Sequence, residues 1–291
     1  MRSVVPVLSV VAAILVMWYA AAVWMNTTWT LQQAQRAGVE LSTGEVIAAS
    51  FGQDRPKLPM PNQVEAEMWK TTGAKVLEGK AFSKRSLLFH SWITLSATLM
   101  GFAIGTVAGI LLAVGIVHSR AMDMSVMPWA IVSQTIPIIA IAPMIIVVLY
   151  SIGVQGTLPK AIISAYLSFF PVVVGMVKGL RAPDHMQLDL LRTYSASKGQ
   201  TFWKLRLPSS LPFLFASLKI AMAASLIGAI VGELPTGAVR GLGARLLAGS
   251  YYGQTIQIWS ALLTAAILAA LLVAAISLVE RVTLRHMGLA R

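Results

Sequence analysis

Cysteine is absent from the 291 residues, which removes disulfides, thiolate catalysis and thiolate metal sites from consideration. Charge is scarce as well. Asp, Glu, Lys and Arg make up 12% of the chain, against about 25% in soluble domains, while 57% is hydrophobic. That balance argues against a water-soluble fold. Acid is the rarer sign, 11 residues against 23 basic ones, for a net charge of +12. Such an excess suits nucleic acid only when it forms a solvated basic face. Here the basic residues lie mostly between apolar runs, so no nucleic-acid partner is expected and the charge is read as topology information. The stretches Trp92 to Val117, Val126 to Tyr150 and Trp259 to Val279 contain no charged residue at all. Each exceeds the roughly 20 residues that cross about 30 Å of hydrocarbon.

The expected fold class is an all-α membrane protein with six transmembrane helices, at about 4–25, 92–117, 126–150, 158–179, 213–233 and 259–280. The first run contains Ala20 and Ala22 in an A-x-A arrangement, but it is longer than a signal core and reads as an uncleaved helix. Residues 26–90 are polar and punctuated by Pro56, Pro59 and Pro61, so they read as an extramembrane segment. Within it, Asn62 with Glu65 resembles a helix start, and Val64, Met68, Trp69 and Val76 recur at roughly helical spacing; a short amphipathic surface helix or a packed loop fits. Residues 91–285 form the core of five spans, interrupted by one long loop at 181–212, and 286–291 form a tail.

Orientation follows from the basic residues. With both termini cytoplasmic, Arg2, Arg120, Arg181, Arg192, Lys198, Lys204, Arg206, Arg281, Arg285 and Arg291 lie inside, and only Lys160, Arg240 and Arg245 fall in short outer loops. Residues 26–90 then lie outside. Within the spans, Gly101, Gly105 and Gly109 form a double G-x-x-x-G stripe that lets two backbones approach closely, within the subunit or between subunits. Pro137, Pro143 and Pro171 remove backbone donors and predict kinks.

Chemistry is sparse. The nearest approach to a phosphate cradle, Gly73 to Ala81, has the wrong glycine spacing and lacks the Ser or Thr that would hold magnesium, so the chain carries no ATPase site. His90, His118, His185 and His286 lie near span ends with no metal-ligand spacing, and no metal is expected. Lys219 is the charge lying well inside a span, where it reads as snorkelling to the inner surface. Glu233 stands at the outer end of the same span, next to Leu234, Pro235 and Thr236. Gradient coupling through buried ionisable groups is therefore poorly supported, and an external energy source fits better. Polar residues within apolar spans, Gln134, Thr135, Tyr166 and Ser168, together with Glu233, are candidates for a translocation path or for bonds between helices.

The long inner loop is the informative segment. Asp189-Leu190-Leu191-Arg192-Thr193-Tyr194-Ser195-Ala196-Ser197 is followed by Phe202, Trp203 and Leu205, then Leu207-Pro208 and Leu211-Pro212. On a helix, Leu188, Leu191 and Ser195 would share one face with Leu190 and Tyr194 beside it, a partly apolar knob for a cytoplasmic partner. This segment resembles the E-A-A-x-x-x-G loop and distal Leu-Pro of ABC importer permeases, in particular the nitrate, sulfonate and taurine branch. Asp189 stands at the Glu position, Arg192-Thr193, Ala196-Ser197 and Leu207-Pro208 match, Leu190 and Leu191 replace the paired alanines, and Ser195 replaces the glycine. Gln134-Thr135-Ile136-Pro137, Ala142-Pro143, Phe169-Phe170-Pro171, Gly179-Leu180-Arg181 and Glu233 with Gly241-Leu242-Gly243 extend the resemblance over roughly residues 58–285.

The resemblance implies the type I importer permease fold, a homodimer of permeases, a cytoplasmic ABC ATPase dimer that binds ATP and Mg, and a periplasmic substrate-binding protein. It implies no enzymatic activity and no cofactor in this chain. It places ATPase coupling on Asp189, Arg192, Thr193, Ser195, Ala196, Lys198 and Pro208. The basic excess of the loop suits an acidic groove on the ATPase or anionic membrane lipid. The expected cargo is a small polar or anionic solute of the nitrate, sulfonate, taurine, vitamin-precursor pyrimidine or riboflavin type. A stand-alone secondary transporter or channel is the alternative.

Overall fold

A computed structural model describes residues 4–235 and 240–288. Arg2, Thr236 and Arg291, which entered the topology and outer-loop expectations, lie outside the described residues. The described chain is helical throughout, in the order α1 (Val4–Ala37), α2 (Thr43–Phe51), α3 (Pro61–Thr71), α4 (Gly73–Leu77), α5 (Leu87–His118), α6 (Arg120–Ser133), α7 (Ile138–Ser151), α8 (Thr157–Leu180), α9 (His185–Thr193), α10 (Lys198–Thr201), a π-helical turn (Phe202–Arg206), α11 (Leu207–Glu233), α12 (Leu242–Tyr251) and α13 (Thr255–His286). Among the described residues five stretches are long and apolar enough to cross a membrane, and the bent pair α6 and α7, taken as one span, brings the number to the expected six. The chain divides into two compact units, Met1–His90 with Arg245–Ala265 and Ser91–Ala244 with Ala266–Arg291.

In the first unit α1 runs to Ala37 rather than stopping at Met25, because Gln, Ala, Leu and Arg are good helix formers and no glycine intervenes before Gly38. Gly38 then turns left-handed at φ 69°, with its N–H on Gln35 O and the Val39 N–H on Ala34 O, closing the helix. Asn26 is fully buried inside α1. Its amide oxygen accepts from the Lys57 and Leu58 N–H groups and its Nδ2 donates to Leu58 O at 2.9 Å, tying down a proline-rich stretch poor in donors of its own. Where a surface helix or a packed loop was expected the chain forms α3, which begins at Pro61, with Gln63 rather than Glu65 reaching back to the Met60 N–H at 3.0 Å. Trp18 of α1 packs on Trp259 of α13 with ring centroids 4.9 Å apart.

The second unit is organised around α8, the most buried of its long helices, ahead of the α11 stretch and α5. Small residues explain that rank. A Cβ at Gly105 would overlap Ser168 Oγ, and one at Gly101 or Gly109 would lie 2.6 Å from Ala161 O or 2.9 Å from Phe169 O. The glycine stripe therefore seats α5 on α8 within the subunit. α11 packs on α8 as closely: a Cβ at Gly228 of α11 would lie 2.6 Å from the Ser164 Cα, and one at Gly179 of α8 would meet Ser210 Cα of α11 at 2.8 Å. Ser164, between α5 and α11, bonds Ser225, whose hydroxyl donates to Thr98 O at 2.8 Å. Without a hydrophobic drive between helices in lipid, such close packing and interhelix bonding hold the core.

The three proline expectations resolve differently. Pro143 and Pro171 sit inside continuous helices α7 and α8. At Pro137 the third span breaks, and α6 and α7 meet at 102°. Lys219, expected to snorkel to the inner surface, has its ammonium paired with Glu280 of α13 at 2.5 Å, a partner within reach that lowers the cost of a charge inside a span.

Candidate functional site

The loop between α8 and α11 holds a short helix, α9, closed at its C-terminal end and followed by a capped restart at Ser197. α9 opens after Asp184 and ends at Tyr194. There the Ser195 N–H donates to Arg192 O at 2.8 Å and the Ala196 N–H to Leu191 O at 2.9 Å, the paired bonds of a Schellman stop. Such a stop needs a left-handed residue, and Ser195 supplies it at φ 55°, the one non-glycine with positive φ among the described residues. Ser195 is therefore not on the helix face shared by Leu188 and Leu191, because the chain has already reversed. Ser197 starts the next helix with a reciprocal cap: its hydroxyl accepts from the Gln200 N–H, and Gln200 Oε1 accepts from the Ser197 N–H.

From Lys198 the chain is one unbroken helical stretch to Glu233. Pro208 lacks the N–H that would reach back one turn, and the segment before it widens into a π turn in which the Leu207 N–H bonds Phe202 O. The helix that follows the loop is thus continuous with the fifth span, and α9 is joined to it through the chain reversal at Ser195.

The outward surface of α9 is apolar. Met186, Leu190 and Tyr194, spaced by four residues, are 77%, 57% and 76% exposed, while Leu188 and Leu191 are half-buried against the unit. Asp189 and Arg192 pair at 2.9 Å on the exposed flank, and the Thr193 hydroxyl bonds Asp189 O at 3.0 Å. Ala196 is half-buried beside the helix end, and Lys198 is exposed at the start of α10. Of the residues singled out in this loop, Asp189, Arg192 and Thr193 lie on α9, Ser195 and Ala196 in its cap, and Lys198 and Pro208 on the following helix. Met186 was not singled out, although its four-residue spacing from Leu190 was visible.

The polar residues of the spans separate into two groups. Gln134 and Thr135 are exposed in the break between α6 and α7. Ser168 is fully buried against Gly101, with its hydroxyl 3.2 Å from Ala165 O. Tyr166 donates its hydroxyl to Ser133 O at 2.5 Å. That carbonyl lies four residues before Pro137, and a proline there has no N–H to give it, so Tyr166 supplies the missing donor at the break. The proline itself was the signal that could have found this bond.

Glu233 is fully buried at the end of α11. It accepts from the Thr94 hydroxyl at 2.9 Å and from the Gly243 N–H at 2.7 Å, and Thr94 in turn accepts from the Leu242 N–H at 2.9 Å. Lys160, 8% exposed, adds electrostatic attraction. A side chain at Gly241, φ 120°, would overlap the carboxylate. The carboxylate is a knot joining α5, α11 and α12, with the desolvation cost offset by charge-assisted bonds.

The comparisons with known proteins agree with this architecture. Residues 105–287 match the family described as binding-protein-dependent transport system inner membrane component. The chain is 34% identical over 199 residues to the formylaminopyrimidine transport permease protein of Halalkalibacterium halodurans, covering 68% of this chain and 73% of that one. It is 29% identical over 228 residues to the riboflavin transport system permease protein of Chloroflexus aurantiacus, covering 78% and 80%. It is 23% identical over 210 residues to a putative aliphatic sulfonates transport permease protein of Bacillus subtilis, covering 72% of each. With its apolar spans and its capped loop helix, the chain belongs to the family of binding-protein-dependent transport inner-membrane components, as the multi-pass permease subunit of an ABC importer.

Proposed function

We propose that two copies of this chain form the translocation path of an ATP-driven importer, and that α9 of each copy docks on one subunit of a cytoplasmic ABC ATPase dimer. The observation that carries the reading is the exposed Met186, Leu190 and Tyr194 row on a helix that is stopped at Ser195 and followed at once by the uninterrupted helix of the fifth span. An apolar row in water needs a partner. ATP and Mg bind on the ATPase, and a periplasmic binding protein delivers the cargo. Gln134 and Thr135, exposed where the third span breaks, face the path. Non-helical backbone at membrane depth is tolerated only against protein or water, which favours that placement.

The cargo is a small polar or anionic solute. Relatives are named for formylaminopyrimidine, riboflavin, aliphatic sulfonates and nitrate, and the formylaminopyrimidine permease shares the highest identity of these. The test is reconstitution of the chain with its ATPase and binding protein. Uptake should require ATP and all the components, and uptake by the chain alone in vesicles would overturn the reading. Reporter fusions should place residue 60 outside and residues 195 and 288 inside; residue 195 outside would remove the docking argument.

A further inference from the structure

Two cavities adjoin at the base of α9. The first, about 370 Å³, is lined by His118 from the end of α5, Leu188 and Arg192 from α9, Lys198 and Thr201 from α10, and Arg206 from the π turn. The second, about 290 Å³, shares His118 and Lys198 but is otherwise lined by Val114, Gly199 and Phe202. The first is cationic. Lys198 and Arg206 enter no ion pair among the described residues, and Arg192 is only partly neutralised by Asp189. The second is apolar, with the His118 ring edge-on to Phe202 at 5.3 Å and its Nδ1 donating to Val114 O at 2.8 Å.

A cationic cavity and an apolar one that share two walls match a ligand with a charged head and a hydrocarbon tail. A soluble anion would use only the first, and an acidic protein surface would leave the second empty. The position fits the same ligand. The cavities lie where α5 ends and the long fifth-span helix begins, and Trp203, 67% exposed beside Phe202, is the kind of aromatic that marks a membrane interface.

We infer that this paired cavity binds one anionic phospholipid of the adjacent leaflet, its phosphate against Lys198, Arg206 and Arg192 and an acyl chain along Val114 and Phe202. The lipid sits between α9 and the foot of the spans, so its occupancy sets the angle at which α9 is presented. The inference needs only that these helices span a bilayer, and it does not depend on α9 docking an ATPase.

The test uses the full chain in nanodiscs of phosphatidylcholine with and without phosphatidylglycerol, reading retained phosphatidylglycerol by native mass spectrometry. The Lys198→Gln/Arg206→Gln double variant should weaken retention by roughly tenfold or more, since each basic group near a membrane surface contributes severalfold. Gly199→Leu should also weaken retention, because it fills the apolar cavity without disturbing the fold; a Cβ there meets nothing nearer than Ser197 Oγ at 4.0 Å. Lys204→Gln, outside both cavities, should leave retention unchanged. Excess inorganic phosphate should not displace the lipid. Unchanged retention in the double variant overturns the inference. Displacement by phosphate with no effect of Gly199→Leu also overturns it, identifying a free-anion site instead. ATPase copurification from the same samples separates these outcomes from a failure of docking.

Discussion

Ser195 holds a backbone conformation that an L residue adopts at a cost of about 1 kcal/mol, because its Cβ crowds the carbonyl that follows. The Schellman stop requires that conformation, so the cost is imposed by the need to reverse the chain after α9. Ser195→Gly should therefore firm the loop by up to about 1 kcal/mol with ATPase binding retained, and Ser195→Val should weaken it by about 1 to 2 kcal/mol. Limited proteolysis between α9 and α10, compared across the three forms, checks both. Tyr166 offers a second test at this scale. Tyr166→Phe leaves Ser133 O without its donor at the break, which should cost about 1 to 3 kcal/mol. Thermal stability of the purified chain in detergent measures it, and a variant as stable as the parent would show that water replaces the hydroxyl. The glycine position of the loop was legible from the family pattern. The serine's compliance was not, because a residue's identity does not state the φ its neighbours impose.

At the level of elements, local patterns reached as far as the chain's own neighbourhood. Apolar runs located the spans, and the spacing of Gly101, Gly105 and Gly109 announced a close helix contact, but only the structure named α8 as the partner. The span ends were less legible: α1 outruns its apolar stretch because helix formers continue into the polar region. Lys219 shows the limit most clearly. Its partner Glu280 lies on another helix far along the chain, where no periodicity could connect them. The pair joins α11 to α13 in a setting poor in water, where removing one member leaves an uncompensated charge. Lys219→Met alone should lower the yield of folded protein, by several kcal/mol of lost stability if the glutamate stays ionised. The Lys219→Glu/Glu280→Lys exchange should recover most of that loss. Size-exclusion profiles of the single and exchanged variants decide it. Equal damage from the exchange would mean that local packing, not the ion pair, is what the lysine serves.

For the whole molecule, the proposed coupling requires that work done on α9 reach the membrane. The anatomy supplies the link: α9 is capped at Ser195, the chain restarts at Ser197, and the helix from Lys198 runs through the π turn to Glu233. At its far end Glu233 is knotted to α5 and α12, so under that proposal a tilt of this helix would be passed to other elements. Ala196 is the place to break the chain of transmission without breaking the fold. Its N–H closes the α9 cap on Leu191 O at 2.9 Å, a bond made by backbone and indifferent to the side chain. Ala196→Glu therefore keeps the cap, yet places a charge and added bulk in the wall of the cationic cavity at the end of the helix proposed to dock. In a desolvated interface that combination costs several kcal/mol. The variant should insert normally, pair with its second copy, and fail to retain the ATPase or to transport. Asp189→Ala should show a milder defect, because the Asp189 and Arg192 pair is exposed and such pairs contribute at most about 1 kcal/mol. Membrane abundance, ATPase copurification and solute uptake should be measured on the same preparations. Full ATPase retention and full uptake by Ala196→Glu would mean that force enters the permease somewhere other than α9.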